Sequence, residues 1–367
     1  MEPYERVIKA INYNHPDRVP IDYTATPEFH AKLKKHLKID EDELLLRKLG
    51  VDIRRVQPRF VGPKDMIGAP GVTAEGKDFL GVVWKPVKNE FGTYNEIAFS
   101  PLSQATTVKE IDNYPWPEVE WFDFSHVKED IAHFNRERRY AIMYFAGGAF
   151  ETPWYMRGLA RFLMDLIECP DIAEAICCHA ADFYKKRALR AIEQSDGQID
   201  IIGSGGDLGT QRAMMLDPDL WRRHIKPYSE ELIRPFKKMG LKTFYHSCGS
   251  IVPVIEDFIG MGLDILDPIQ PRAAGMSAEE LKHRFDNRLT FHGGIDEQQL
   301  LPQGTPAEVR REVERIIHIL GNGGGQGEAL HGIKPAVGGY IVCPAHAVQP
   351  DTPVENIIAL YEVANGQ

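Results

Sequence analysis

The chain has 367 residues, 43% of them apolar, which allows one large domain or two ordinary ones with a sizeable core. Acids outnumber bases by 53 to 43 and no Lys/Arg-rich run breaks the balance, so the net charge of -10 argues against nucleic acid or an anionic membrane as a direct partner. No segment approaches the roughly 18 apolar residues of a membrane span, the amphipathic start Met1-Glu2-Pro3-Tyr4-Glu5-Arg6 has no signal-peptide core, and five cysteines, an odd number, are not a disulfide framework; a cytoplasmic setting is expected.

In chain order, a helix near 3–12 precedes the β-rich run 18–23, and a helix near 41–49 precedes the run 51–56. A long irregular stretch, about 59–138, contains two β-rich segments around Asn89-Glu90-Phe91-Gly92, the pattern of a hairpin. It reads as an insertion in one strand-to-helix loop, either beside the mouth of the fold or as a plain surface hairpin. The run 140–145 follows, then helices near 154–168 and 171–195, with Cys177-Cys178 as core filler and Cys169 at a helix end. Next come the run 199–202, a helix near 218–239 capped by Asp217 before Pro218, and Lys242-Thr243-Phe244-Tyr245 leading into His246-Ser247-Cys248-Gly249. Helices near 252–261, 277–285 and 306–320 separate the runs 264–267, 289–292 and 339–343. The stretch from Gly321 to Gly339, with Gly323-Gly324-Gly325 and Gly327, is glycine-rich and irregular, and a last helix covers about 354–365.

Eight strand candidates alternating with helices indicate parallel βα units, and eight of them suggest a closed (β/α)8 TIM barrel. The expected fold is a single domain over 1–367 with an N-terminal helical extension and the hairpin-containing insertion. An open doubly wound sheet fits less well, because no Gly-x-Gly-x-x-Gly turn follows a strand.

In such a barrel the chemistry collects at the C-terminal strand ends. Those ends carry Asp22 and Tyr23; Arg54 and Arg55; Glu151; Asp207; His246 and Cys248; Asp267 and Gln270; His292 and Asp296; Cys343 and His346. Residues i and i+2 of a strand face the same way, so His246 and Cys248 present an imidazole and a thiol together, which is half of a zinc site. The bland alternative is a buried His and Cys that merely end a strand. Cys343 and His346, three apart with Pro344 between, offer the remaining ligands. Both facing inward would make a closed structural site, and one alone would leave a position for substrate. Asp207 and Asp296 read equally as site groups or helix caps. Arg157, Arg212 and Arg272 read as anchors for substrate carboxylates or as surface ion pairs.

Four segments resemble the uroporphyrinogen decarboxylase superfamily: His15-Pro16-Asp17-Arg18-Val19-Pro20-Ile21, His246-Ser247-Cys248-Gly249, Phe291-His292-Gly293-Gly294-Ile295-Asp296 and Pro350-Asp351-Thr352-Pro353-Val354-Glu355-Asn356. The resemblance implies a (β/α)8 barrel. The superfamily also holds zinc-dependent, corrinoid-linked methyltransferases, whose pattern of His-x-Cys plus a downstream Cys is similar to this chain. Here His346 stands near the downstream position with Cys343 three residues earlier, so the third ligand is open between them. The Arg-rich opening of true uroporphyrinogen decarboxylases has no counterpart here.

The resemblance thus implies a methyltransferase with zinc held by His246, Cys248 and one of Cys343 or His346. Asp207 joins His246 and Cys248 as a catalytic candidate, while Asp22, Tyr23, Glu151, Gln270, His292 and Asp296 are candidate substrate contacts. A corrinoid protein is the expected partner, a methyl ether or thiol the small-molecule substrate, and a homodimer is compatible. Two other readings stay open: decarboxylation of a porphyrinogen with Asp22 or Asp207 beside a protonated pyrrole, and a catalytically idle barrel that binds a tetrapyrrole or corrinoid partner.

Overall fold

The computed structural model describes residues 1–68, 75–89, 92–321 and 337–366. Seven strands form one parallel sheet: β1 (Ile53–Val56), β2 (Ala141–Gly147), β3 (Ile201–Gly205), β4 (Lys242–His246), β5 (Ile265–Ile269), β6 (Thr290–Ile295) and β7 (Tyr340–Pro344). They pair in sequence order, each with the next, and helices connect them. The result is an α/β fold around a curled parallel sheet, consistent with a TIM-like barrel.

The eighth expected strand, the run 18–23, shrinks to a single bridge. Ile21 pairs with Val342 of β7, the Val342 amide donates to the Pro20 carbonyl at 2.9 Å, and the Asp52 amide donates to the Ile21 carbonyl at 2.8 Å. Pro20 has no N–H to offer a ladder, which keeps this segment from extending as a strand.

Both faces of the sheet are covered, which is why its strands read as continuous apolar runs. Ile53, Ala141, Met143, Ile201, Phe244, Ile265 and Ile341 pack together inside the curl, and Val7 and Ile11 of the N-terminal helix Pro3–Ile11 join them. Alternate residues such as Ile142, Tyr144, Ala146 and Ile202 turn outward against the helices. That helix is fastened by Arg6, which bonds Asp52 and Asp17 at 2.6 Å each.

Two helical expectations are revised, and one helix is new. The stretch near 154–168 is two helices, Glu151–Arg157 and Leu159–Glu168, separated by Gly158 at φ +86°. The stretch near 218–239 is three short pieces, Pro218–His224, Lys226–Glu230 and Arg234–Lys238; Pro227 and Pro235 remove the amides a continuous helix needs. Asp217 caps the first piece through the amides of Asp219 and Leu220. A helix at Pro27–Leu37, capped by Thr26, has no counterpart in the sequence reading, and only Phe29 and Leu33 of it are buried.

Between β1 and β2, the segments Gly76–Lys77, Val83–Asn89 and Gly92–Phe99 form a three-stranded antiparallel sheet, and Arg59–Phe60 pairs with Phe122–Asp123. The hairpin-turn residues Glu90 and Phe91 lie outside the described residues, as do Gly323-Gly324-Gly325 and Gly327. The hairpin reaches the loop after β7, where the Tyr94 hydroxyl donates to Gln349 Oε1 at 2.9 Å. Its other side meets the loop and helix after β2: Trp84 packs edge-on against Tyr155 at 5.2 Å, and Ser100 Oγ donates to the Tyr155 carbonyl at 2.8 Å. Among the described residues no helix is long and apolar enough to cross a membrane.

Candidate metal centre

β4 ends on His246, and the residues after it alternate in direction. Ser247 is buried in the wall, its amide donating to the Asp267 carbonyl at 2.7 Å and its hydroxyl accepting the Leu208 amide at 3.0 Å. His246 and Cys248 therefore share the other side, with His246 Nε2 3.6 Å from Cys248 Sγ. His346, in the loop after β7, completes the group: one ligand atom from each of His246, Cys248 and His346 lies within 4.8 Å of the others.

Glycine is required next to Cys248. Gly249 sits at φ +78°, and a Cβ there would lie 2.5 Å from the carbonyl carbon of Gly209; a Cβ on Gly209 would lie 2.6 Å from the Cys248 carbonyl oxygen. Two loops cross at a distance that no side chain fits. Gln270 secures the crossing by accepting the Gly249 amide at 2.8 Å.

Behind His246 runs a relay of charges. Asp267 of β5 receives His246 Nδ1 on one oxygen and His292 Nδ1 on the other, each at 2.5 Å. His292 Nε2 lies 3.0 Å from Asp22 Oδ2, and Arg55 binds both Asp22 oxygens at 2.9 and 2.5 Å. Both nitrogens of His292 face carboxylates, which only accept. Burial disfavours its charge, but Asp267 and Asp22 outweigh that and raise its pKa to about 9. Burial alone would raise Asp267 and Asp22, yet the neighbouring imidazoles and Arg55 hold both well below the usual carboxylate range. His246 Nδ1 is turned to Asp267, which leaves Nε2 facing Cys248.

Two further acids border the group. Asp207 accepts the Cys248 amide at 2.9 Å and lies 3.5 Å from His246 Nε2. Glu151, at the start of the helix after β2, accepts the Tyr155 hydroxyl at 3.1 Å. Burial, and then the charge of Asp207, pushes the Glu151 pKa up to about 7.

Other sequence candidates lie elsewhere. Cys343 is fully buried on β7, near Asp22 and Arg55 and hydrogen-bonded to Thr24, and burial pushes its thiol well up. It stands outside the group that His346 joins. Asp296 accepts the amides of Gln298 and Leu300 and faces Arg272 at 3.7 Å, the capping arrangement. Tyr23 packs beside His30 and Tyr361. Arg157 is buried against Asp165 at 2.6 Å rather than offered to a ligand. Asp267 and Arg55 had no role assigned from sequence, although both stand at expected strand ends. Asp267 is the direct register partner of His246 across β4 and β5, and that pairing is what gives it its place.

Residues 94–367 match the uroporphyrinogen decarboxylase (URO-D) family. The chain belongs to the URO-D family. No curated protein matches it. Among solved structures, a methyltransferase from Methanosarcina mazei superimposes with a TM-score of 0.69 at 15% identity, covering 100% of this chain and 99% of that one. At that identity the likeness is one of fold. Within this URO-D fold, the donor set of two imidazoles and a thiol suits zinc. Ligand atoms on a tetrahedral zinc lie about 3.5 Å apart, close to the 3.6 Å between His246 and Cys248. A carboxylate fixing the outer nitrogen of a ligating histidine is the usual support.

Proposed function

We propose that this URO-D family protein is a methyltransferase that uses zinc held by His246, Cys248 and His346 to move a methyl group between a small ether or thiol and a corrinoid protein. The observation that carries the reading is the convergence of those three side chains, with Asp267 behind His246. Bound there, zinc supplies a Lewis acid for an ether oxygen or holds a thiol as thiolate.

The chain's own groups have separable tasks. Asp267 fixes the His246 tautomer, and Arg55 and Asp22 hold His292 so that Asp267 stays ionised. Asp207 tethers the Cys248 backbone and adds negative charge beside the ligands. Glu151, with a pKa near 7, binds or releases a proton at its carboxyl under neutral conditions and is the group suited to meet a leaving oxygen or an entering thiol. Decarboxylation with Asp22 as pyrrole partner has less support, because both Asp22 oxygens are engaged by Arg55 and His292.

The test is metal content after zinc-replete expression. Wild type should hold about one zinc per chain, Cys248→Ala and His346→Ala should lose it, and Cys343→Ala should keep it. A wild-type protein without zinc would overturn this reading in favour of decarboxylase-like chemistry.

A further inference from the structure

Beside the mouth, between the ends of β1 and β2 and the helix Pro170–Gln194, lies a cavity of about 390 Å³ with mostly apolar walls. Arg187 of that helix is buried and reaches into it. Its guanidinium is ringed by Phe122 at 4.8 Å, Tyr184 at 5.7 Å, and Phe79, Tyr144 and Phe183 at 5.9 Å each. Its hydrogen bonds among the described residues are two, from Nε to the Tyr144 hydroxyl at 2.8 Å and from Nη2 to Gln57 Oε1 at a long 3.4 Å. Both acceptors are neutral. The other buried arginines Arg6, Arg54 and Arg157 each hold a carboxylate.

A guanidinium has five N–H donors, and in Arg187, which lines the cavity, those beyond the two hydrogen bonds have no protein partner among the described residues. Aromatic faces attract the cation but accept little from in-plane N–H groups. The cavity volume lies in the range of small-ligand sites, which combine apolar walls with a few fixed polar groups. We propose that this cavity binds the carboxylate of a small molecule with a flat apolar body, the carboxylate meeting Arg187 and the body lying among Phe79, Phe122, Phe145 and Tyr184. The proposal does not rest on methyl transfer. Phe145 nonetheless joins the two places: a Cβ on Gly205 would lie 3.0 Å from the Phe145 ring and 3.1 Å from His246 Cβ, so the cavity and the metal group share a wall.

Benzoate titrated calorimetrically into the full chain is the probe, with benzamide and acetate as comparators. Benzoate should saturate, and each comparator should bind at least tenfold more weakly, one lacking the charge and the other the ring. Gln57→Glu places a carboxylate beside Arg187 from an exposed position, so benzoate binding should be lost with the melting temperature unchanged or raised. Arg187→Lys, which keeps charge without the planar fork, should weaken binding at least tenfold. Cys248→Ala should bind benzoate as wild type does, which separates this site from the metal group. Absence of saturable binding to wild type, benzamide binding as well as benzoate, undiminished binding in Gln57→Glu, or loss in Cys248→Ala would each overturn the proposal.

Discussion

Asp267 takes one imidazole on each oxygen, so His246 and His292 cannot reorient independently. Asp267→Asn leaves one acceptor where two are needed, and one histidine must turn away. Loss of such an outer-shell carboxylate typically costs 10–100-fold in metal affinity; a chelator competition assay should show a drop of about that size in Asp267→Asn. Affinity equal to wild type would remove Asp267 from the support of the ligands. At this scale the sequence was legible where spacing alone fixes direction. His246 and Cys248 are i and i+2 on a strand end, and they meet. Cys343 and His346 straddle Pro344, where no strand period holds, so nothing local said that His346 faces the group while Cys343 packs near Asp22. Asp267 went unassigned because its partner depends on the register between β4 and β5, a tertiary fact.

The loops that carry the ligands are held by the Gly209–Gly249 crossing. Gly249→Ala must bring a β-carbon into the 2.5 Å approach to Gly209 in a left-handed conformation, at a cost of about 1–3 kcal/mol or more. The expected outcome is a lower denaturation midpoint together with lost zinc; a variant that keeps both would show that the loops can separate freely. The sheet of the insertion makes a different prediction. Asp78 is fully buried there, accepting the amides of Leu80 and Val82 and the Trp84 indole, with no cation paired to it among the described residues. Burial raises its pKa to about 6. Between the ordinary carboxylate value and about 6 the folded state therefore holds a proton that the unfolded chain has released. Stability falls as pH rises across that window, by up to about 3 kcal/mol for a two-unit shift, and the contribution is gone above it. Urea denaturation at pH 4.5 and 7 should show this slope in wild type and a flatter one in Asp78→Asn; equal slopes would discount the burial argument. The hairpin was legible from its turn residues and alternation. The helix Pro27–Leu37 was not, because its apolar stripe is only one residue wide, Phe29, Leu33 and Leu37 among Lys and His, and buries only the first two.

For the molecule as a whole, Asp52 is where three parts meet. It accepts Arg6 of the N-terminal helix at 2.6 Å, Arg18 at 2.7 Å and the Ile21 amide at 2.9 Å. Asp52→Ala leaves two arginines without their shared carboxylate. A loss of about 3–5 kcal/mol is expected, as for other broken buried pairs, while zinc content in the folded fraction should stay as in wild type. Thermal or chemical denaturation checks the first and metal analysis the second; a loss under about 1 kcal/mol would mean that water replaces the contacts. Seven of the eight strand candidates became strands because apolar runs covered on both faces have few alternatives. The first did not, since Pro20 denies it a ladder.

That single bridge is the narrowest join in the sheet, and the charge relay crosses it. Asp22 follows Ile21 directly, and it is bound by Arg55 from β1 and His292 from β6. The rim is thus laced by side chains where the backbone is least stitched. If zinc is held as proposed, its affinity and the opening of the seam would draw on one shared free energy, and by reciprocity what steadies the ligands would also slow exchange of the Asp22 amide. A thermometer for the proposed site would then sit at the seam, in the Asp22 backbone proton that Val342 of β7 accepts at 3.0 Å.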